Sequence, residues 1–407
     1  MLRKTLIVAI AAALAACAGC QTHEQNKKLA KERWQKASAQ IKLALAQQQY
    51  GNGQYKEAEK NIRECLDADP QVPQAHLLFG KLLVAQGQAP KASGELQLAV
   101  ELDENLHEGW YWLGVTAQQF RQTDRAWSHY NKAMTLAPTN VDYILAVAET
   151  FNARRQPEEA IKMLREKMQI MPTQISLKVA AADTLSRLGR NQQAAELYKQ
   201  AMLLANDDID IAESLGYCYV FDGQWDQAAE IFNKLAGRFE DDTASQKQIS
   251  AEDKQRKKLY LQTAALCSMK SGRYDQAVNC YGKLTVHERE NAEVWVKMGQ
   301  AALGAGLTRR ALMCARKANS LRPGYADAAA LMGCAQYADG NYSQAAETFK
   351  RITADKNNAA FAWLMTGRCY EQLGELDRAD GAYTKALQIN PDSELGRFLA
   401  KAKDGGN

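Results

Sequence analysis

The chain has 407 residues, with 51 Lys and Arg against 47 Asp and Glu, and a formal charge of +4. Without Arg3 and Lys4 that charge falls to +2, and no basic stripe runs along the rest, which argues against nucleic acid as a partner. Length alone allows two or three globular domains, but a fixed internal period overrides that prior.

In chain order, Met1 to Lys4 is a short positive start and Thr5 to Ala16 follows without a charge, the layout of an export signal. Only eleven apolar residues run from Leu6 to Ala16. A helical membrane span takes roughly 20, so cleavage is expected rather than retention as an anchor helix. Leu14-Ala15-Ala16-Cys17 resembles the bacterial lipobox, and Cys17-Ala18-Gly19-Cys20 is a second possible frame. The resemblance implies lipidation at Cys17 or, alternatively, Cys20, a signal segment over 1–20, and more than one acyl chain. Multiple chains hold stably because each buried methylene contributes about 0.8 kcal/mol. The residue after the cysteine is Ala18 or Gln21 rather than Asp, which in such lipoproteins favours the outer membrane facing the periplasm. The two cysteines also spell C-x-x-C, but no second ligand pair at zinc spacing accompanies them, and a redox motif does not belong at the end of an export signal.

Residues 21–38 follow as a basic helix: Lys27, Lys28, Lys31, Arg33 and Lys36 against Glu24 and Glu32, a net +3. Its plain reading is a solvated lead-in helix; contact with anionic headgroups is the alternative.

The period comes next. Ala58, Ala92, Ala126, Ala160, Ala194 and Ala228 are each 34 residues after the last; after a jump of 49, the series resumes at Ala277, Ala311, Ala345 and Ala379. Around this frame, one unit has Trp110, Leu113, Gly114, Ala126, Tyr130, Ala133 and Pro138, and the last has Trp363, Gly367, Tyr370, Gly374, Ala379, Tyr383, Ala386 and Pro391. The pattern resembles the tetratricopeptide repeat. The resemblance implies an all-α fold, a right-handed superhelical solenoid of about ten helix-turn-helix repeats, starting at 39, 73, 107, 141, 175, 209, 258, 292, 326 and 360. Small residues such as Gly114 are expected where paired helices cross closely, with glycines from Gly53 to Gly374 in left-handed turns between them and prolines such as Pro138 closing units.

Repeats one to six then occupy 39–236 and repeats seven to ten 258–393. Between them lies an insertion, 237–257, a possible hinge that would divide the solenoid six plus four. Ser250 followed by Asp253 fits a capping box, so a loop to Ile249 and a lengthened helix in repeat seven are expected. Residues 394–407 read as a C-terminal capping helix and tail, from Leu395, Phe398 and Leu399.

No catalytic constellation is found. His107-Glu108 and His287-Glu288 do not continue to H-E-x-x-H, and phosphate-loop, dinucleotide and nucleophile-elbow motifs are absent from the sequence. The reading is therefore of no enzyme, no cofactor, no metal and no small-molecule substrate. Seven further cysteines are an awkward count for a disulfide framework; small apolar filler is the preferred reading, with a Cys267–Cys280 approach the alternative.

In tetratricopeptide proteins, places 2, 5, 9, 12 and 13 of each first helix line the concave face. By resemblance these give an acidic stretch of Glu108, Asp142, Glu149, Asp183, Asp210 and Glu213. Tyr111, Tyr217, Val220, Phe221, Leu266, Met269, Val296, Leu303 and Tyr337 form the apolar and aromatic stretch. Such a groove suits protein or peptide segments carrying basic residues beside hydrophobic anchors. The expectation is a lipid-anchored scaffold assisting assembly of an envelope complex of the pilus, secretion or outer-membrane kind. An adaptor that recruits envelope hydrolases or proteases is the alternative, and a subunit of an enzyme or glycosyltransferase the reading from another class.

Overall fold

The computed structural model describes residues 2–205, 207–239 and 250–391, with side chains from His23 onward. Among them are 20 α-helices and no strand. They follow the chain as hairpins: α1 (Leu2–Gly51) with α2 (Tyr55–Ala68), α3 (Pro73–Ala85) with α4 (Ala89–Leu102), α5 (His107–Gln119) with α6 (Thr123–Leu136), and α7 (Val141–Ala153) with α8 (Pro157–Ile170); α9 (Ile175–Arg187) and α10 (Asn191–Leu204) come after them in the chain. Next come α11 (Ile209–Phe221) with α12 (Trp225–Gly237), α13 (Ala251–Lys270) with α14 (Tyr274–His287), and α15 (Ala292–Gly304) with α16 (Thr308–Leu321). α17 (Ala326–Ala338) with α18 (Tyr342–Lys350) and α19 (Ala359–Gln372) with α20 (Leu376–Ile389) complete the series.

The repeat pattern produces these hairpins for local reasons. On α6, Ala126, Tyr130 and Ala133 are buried at four- and three-residue spacing, the stripe a helix needs to pack along one side. At the crossing with α5, a Cβ on Gly114 would lie 2.5 Å from Tyr130 Cδ1, so no larger residue fits while the ring stays in place. The turns end in left-handed backbone, as at Gly87 and Gly189, with φ of 72° and 73°. Two repeats reach the same conformation without glycine, at Arg121 (φ 57°) and Arg155 (φ 59°). Hairpins then bury each other's apolar sides. Leu96 and Leu164 are fully buried, each contributing about 1.5–3 kcal/mol.

The chain forms two compact units, Met1–Leu185 and Ser186–Asn407, each a stack of helical hairpins. In the first, Leu77, Phe79, Leu82 and Leu96 centre one core cluster; in the second, Phe349, Met365 and Cys369 centre another. The units part within α9; the 237–257 insertion, expected as a possible hinge, falls within the second of them. Packing bridges that segment: Phe232 of α12, and Phe239 just beyond it, both meet Tyr260 of α13, with ring centroids 5.9 and 6.0 Å apart.

Three other elements refine the reading. α1 is a single helix from Leu2, running through the expected boundaries at 20 and 38; residues 23–34 are exposed, and burial begins at Ala39. α13 starts at Ala251, seven residues before the repeat frame, with Ser250 as its N-cap: the Asp253 amide donates to Ser250 Oγ at 3.0 Å. α18 has 9 residues where α20 has 14. Its repeat lacks the closing proline, and the backbone turns instead around Asp355, whose Oδ1 accepts from the amides of Asn357 (3.2 Å) and Asn358 (3.0 Å). Residues 240–249 of the expected loop and the expected capping helix at 394–407 lie outside the described residues, as do the side chains of Cys17 and Cys20.

The seven described cysteines are free thiols, six of them buried, and Cys267 and Cys280 are among the free ones. Burial pushes the Cys314 and Cys369 thiols up to about 11. Among the described residues, no helix is long and apolar enough to cross a membrane, and no group of three His, Cys, Asp or Glu could hold a metal ion.

Candidate protein-binding groove

In the first unit, α5 and α7 are the first helices of adjacent repeats. Tyr111, Val115 and Gln118 of α5, Tyr130 of α6, and Asp142 and Glu149 of α7 line a groove pocket of about 500 Å³. Asp142 and Glu149 share a face of α7 because they are seven residues, two turns, apart; Leu145 and Ala146 form the floor between them. The aromatic wall is tied down. Tyr111 stacks on Tyr143 with centroids 5.0 Å apart and an interplanar angle of 29°, and sits 5.5 Å from Tyr130. Tyr130 Oη donates to Gln118 Oε1 at 2.8 Å, while Tyr143 Oη and His107 Nδ1 share a hydrogen bond of 2.8 Å.

The electrostatics of this wall are negative. Burial, then Asp142 and Glu149, raise the Tyr111 phenol above its usual range. Burial, followed by Glu108, Tyr111 and Asp142, pushes Tyr143 up to about 12. Both tyrosines are therefore neutral hydroxyls across the physiological range.

Three residues expected in the groove, Tyr111, Asp142 and Glu149, thus meet in one pocket. Other expected acids carry partners from the chain itself. Glu108 accepts from Lys81 Nζ at 2.7 Å, and Asp183, half-buried on α9, is also engaged. In the second unit, Arg256 of α13 donates from Nη2 to Asp210 Oδ1 (2.9 Å) and to Glu213 Oε2 (3.1 Å), and Tyr260 Oη donates to that same Oε2 at 2.7 Å. Sequence reasoning missed Lys81 and Arg256. The period did hold a signal for Lys81, because place 9 of one repeat faces place 2 of the next; Arg256 lies before the frame of its repeat and has no equivalent elsewhere.

The apolar stretch divides. Phe221 is 71% exposed and Leu266 54% exposed, both large side chains left to solvent at groove places. Tyr217 is half-buried, edge-on to Phe232 at 5.1 Å, and Tyr337 is half-buried against Tyr342 at 5.2 Å. Val220, Met269 and Leu303 are half-buried. Val296 does not line the groove. It is 3% exposed and packs with Ala318 and Ala328, whose small side chains let the helices close over it.

Comparison with known proteins agrees with the repeat reading. Residues 49–110 and 185–252 match the family described as Tetratricopeptide repeat. Residues 260–390 match the family described as Cilia and flagella-associated protein 70 middle TPR-like domain. Among curated proteins, Protein bimA of Emericella nidulans is 29% identical over 109 residues, which are 26% of this chain; the chain spans only 13% of that relative's length. Among solved structures, Pseudomonas aeruginosa pilF is similar at 15% identity, covering 50% of this chain and 93% of its own, with a TM-score of 0.43. A tetratricopeptide repeat protein from Parabacteroides merdae is similar at 14% identity, covering 65% and 98%, with a TM-score of 0.40. YrrB, titled a TPR protein with an unusual peptide-binding site, is similar at 16% identity, covering 43% and 91%, with a TM-score of 0.37. The period, the hairpins built on it and the two family matches together make this chain a tetratricopeptide-repeat protein.

Proposed function

We propose that the chain is a non-catalytic scaffold that holds protein or peptide segments along the faces of its first helices. The observation that carries this reading is the exposure of Phe221 and Leu266, 71% and 54%, at groove places where the repeat's own packing has no use for them. Apolar side chains set beside carboxylates suit an extended or helical segment, with anchors supplying affinity and charges supplying register.

The setting is part of the same proposal. An export signal with lipobox-like Cys17, or Cys20 in the second frame, would tether the scaffold to the envelope, on the outer membrane facing the periplasm. Assistance in assembling a pilus, secretion or outer-membrane complex is the role that fits a tethered binder without turnover. Blocking lipoprotein signal cleavage tests the tether: it predicts a larger precursor, and unchanged size and membrane fractionation would contradict it.

Binding is tested by co-purification from detergent-solubilised envelopes with Phe221→Asp and Leu266→Asp. Both side chains are exposed, so the fold should tolerate the changes. Loss of the co-purifying protein at unchanged melting temperature supports the scaffold; an unchanged set of co-purifying proteins contradicts it.

A further inference from the structure

The second place of the first helix is acidic in five repeats: Glu108, Asp142, Asp210, Glu293 and Asp327. In four of these the chain supplies a donor. Lys81 meets Glu108 at 2.7 Å, Arg256 meets Asp210 at 2.9 Å, Lys297 meets Glu293 at 2.7 Å, and Asn358 Nδ2 donates to Asp327 at 3.1 Å. Asp142 has no such donor among the described residues.

The repeat frame explains why. Lys81 is at place 9 of its repeat and Glu108 at place 2 of the next; adding one period of 34 to each gives Val115 and Asp142. Both of these line the pocket between α5 and α7. Where the preceding repeat puts an ammonium, this one puts an isopropyl group, so the acid faces a cavity instead of a cation. Glu149 lines the same cavity two turns along α7 and likewise has no donor among the described residues. Tyr111, half-buried, and the buried Tyr130 also line it, and an aromatic ring beside carboxylates adds to the attraction for a cation.

We infer that this pocket is a receptor for the guanidinium or ammonium group of an arginine or lysine side chain on a bound protein segment, with Asp142 and Glu149 as its anionic partners and Tyr111 as its aromatic one. The inference rests on the reading of the groove as a binder of protein segments and names the chemistry recognised at one point of it. The second unit already displays that chemistry within the chain: Arg256 lies on two groove-place carboxylates, Asp210 and Glu213, beside the Tyr260 hydroxyl. A planar fork of donors satisfies paired carboxylates well, so arginine is the better fit. The selectivity is local, since the chain's overall charge is +4 and would repel a basic peptide.

The test uses the full chain in detergent and two pools of random twelve-residue peptides, identical except that one position is arginine in the first pool and citrulline, its neutral isostere, in the second. The arginine pool should bind about tenfold more tightly, which corresponds to about 1.4 kcal/mol. Val115→Lys rebuilds the Lys81–Glu108 arrangement one repeat on and should erase that preference, as should Asp142→Asn with Glu149→Gln, at unchanged melting temperature. Equal binding of the two pools would overturn the pocket's role while leaving the scaffold intact, and so would an arginine preference that survives Val115→Lys. Binding of neither pool would overturn the scaffold and the pocket together.

Discussion

Arg256 sits on Asp210, its Nη2 2.9 Å from the carboxylate oxygen, although the two residues are 46 apart in sequence. The contact exists because α13 begins ahead of its repeat, at the Ser250 cap, and carries Arg256 on the added turns. It ties the lengthened helix to the face of α11 that would otherwise be its most acidic.

Arg256→Ala should destabilise the protein by about 0.5–1 kcal/mol, a modest effect because an exposed pair is screened by water and salt. The Arg256 side chain is 35% exposed. Urea denaturation at low and high ionic strength checks this: the gap from the natural protein should shrink as salt rises.

Gly114→Ala should cost about 1–3 kcal/mol, because the new methyl forces the Tyr130 ring to move. Gly94→Ala is the control. Nothing lies within 4 Å of a Cβ at Gly94, and alanine there should gain about 0.8–1 kcal/mol through helix propensity. Thermal melts of the two variants should shift in opposite directions.

Arg121 and Arg155 hold left-handed backbone that most other repeats give to glycine. A non-glycine residue there carries about 1–2 kcal/mol of strain, part of which glycine returns as unfolded-state entropy. Arg121→Gly should therefore stabilise the protein by up to about 1 kcal/mol, read as a higher denaturation midpoint at unchanged slope.

Burial, and then Arg125, lower the His129 pKa below its ordinary 6.5. The unfolded chain then binds the proton more readily than the folded one, so this contribution to stability is full above about pH 6.5 and is lost as pH falls below it. His129 stacks on Trp110 with centroids 5.8 Å apart. His129→Phe preserves a ring there and should flatten the fall in stability between about pH 7.5 and 5.5.

What could be read from sequence was what the period controls. The hairpins, the crossing at Gly114 and the left-handed turns follow from residues 34 apart, and Ser250 with Asp253 announces a helix start without help from elsewhere. Val296 was misplaced because a groove place is exposed only if its neighbours are large; Ala318 and Ala328 let the helices close over it. Arg256 was missed because its partners lie 43 and 46 residues away, outside the repeat frame. The early end of α18 depends on Asp355 folding back on the next amides, a feature of one repeat that the average pattern does not carry.

On the proposed function, the first-helix faces hold a partner's segment. A photo-crosslinking residue at Phe221 in living cells, with exposed Gln227 on α12 as the control, tests it most directly. A protein should be captured from Phe221 and not from Gln227, and be lost when Leu266 is changed to Asp. Equal capture from both sites, or capture from neither, would contradict it.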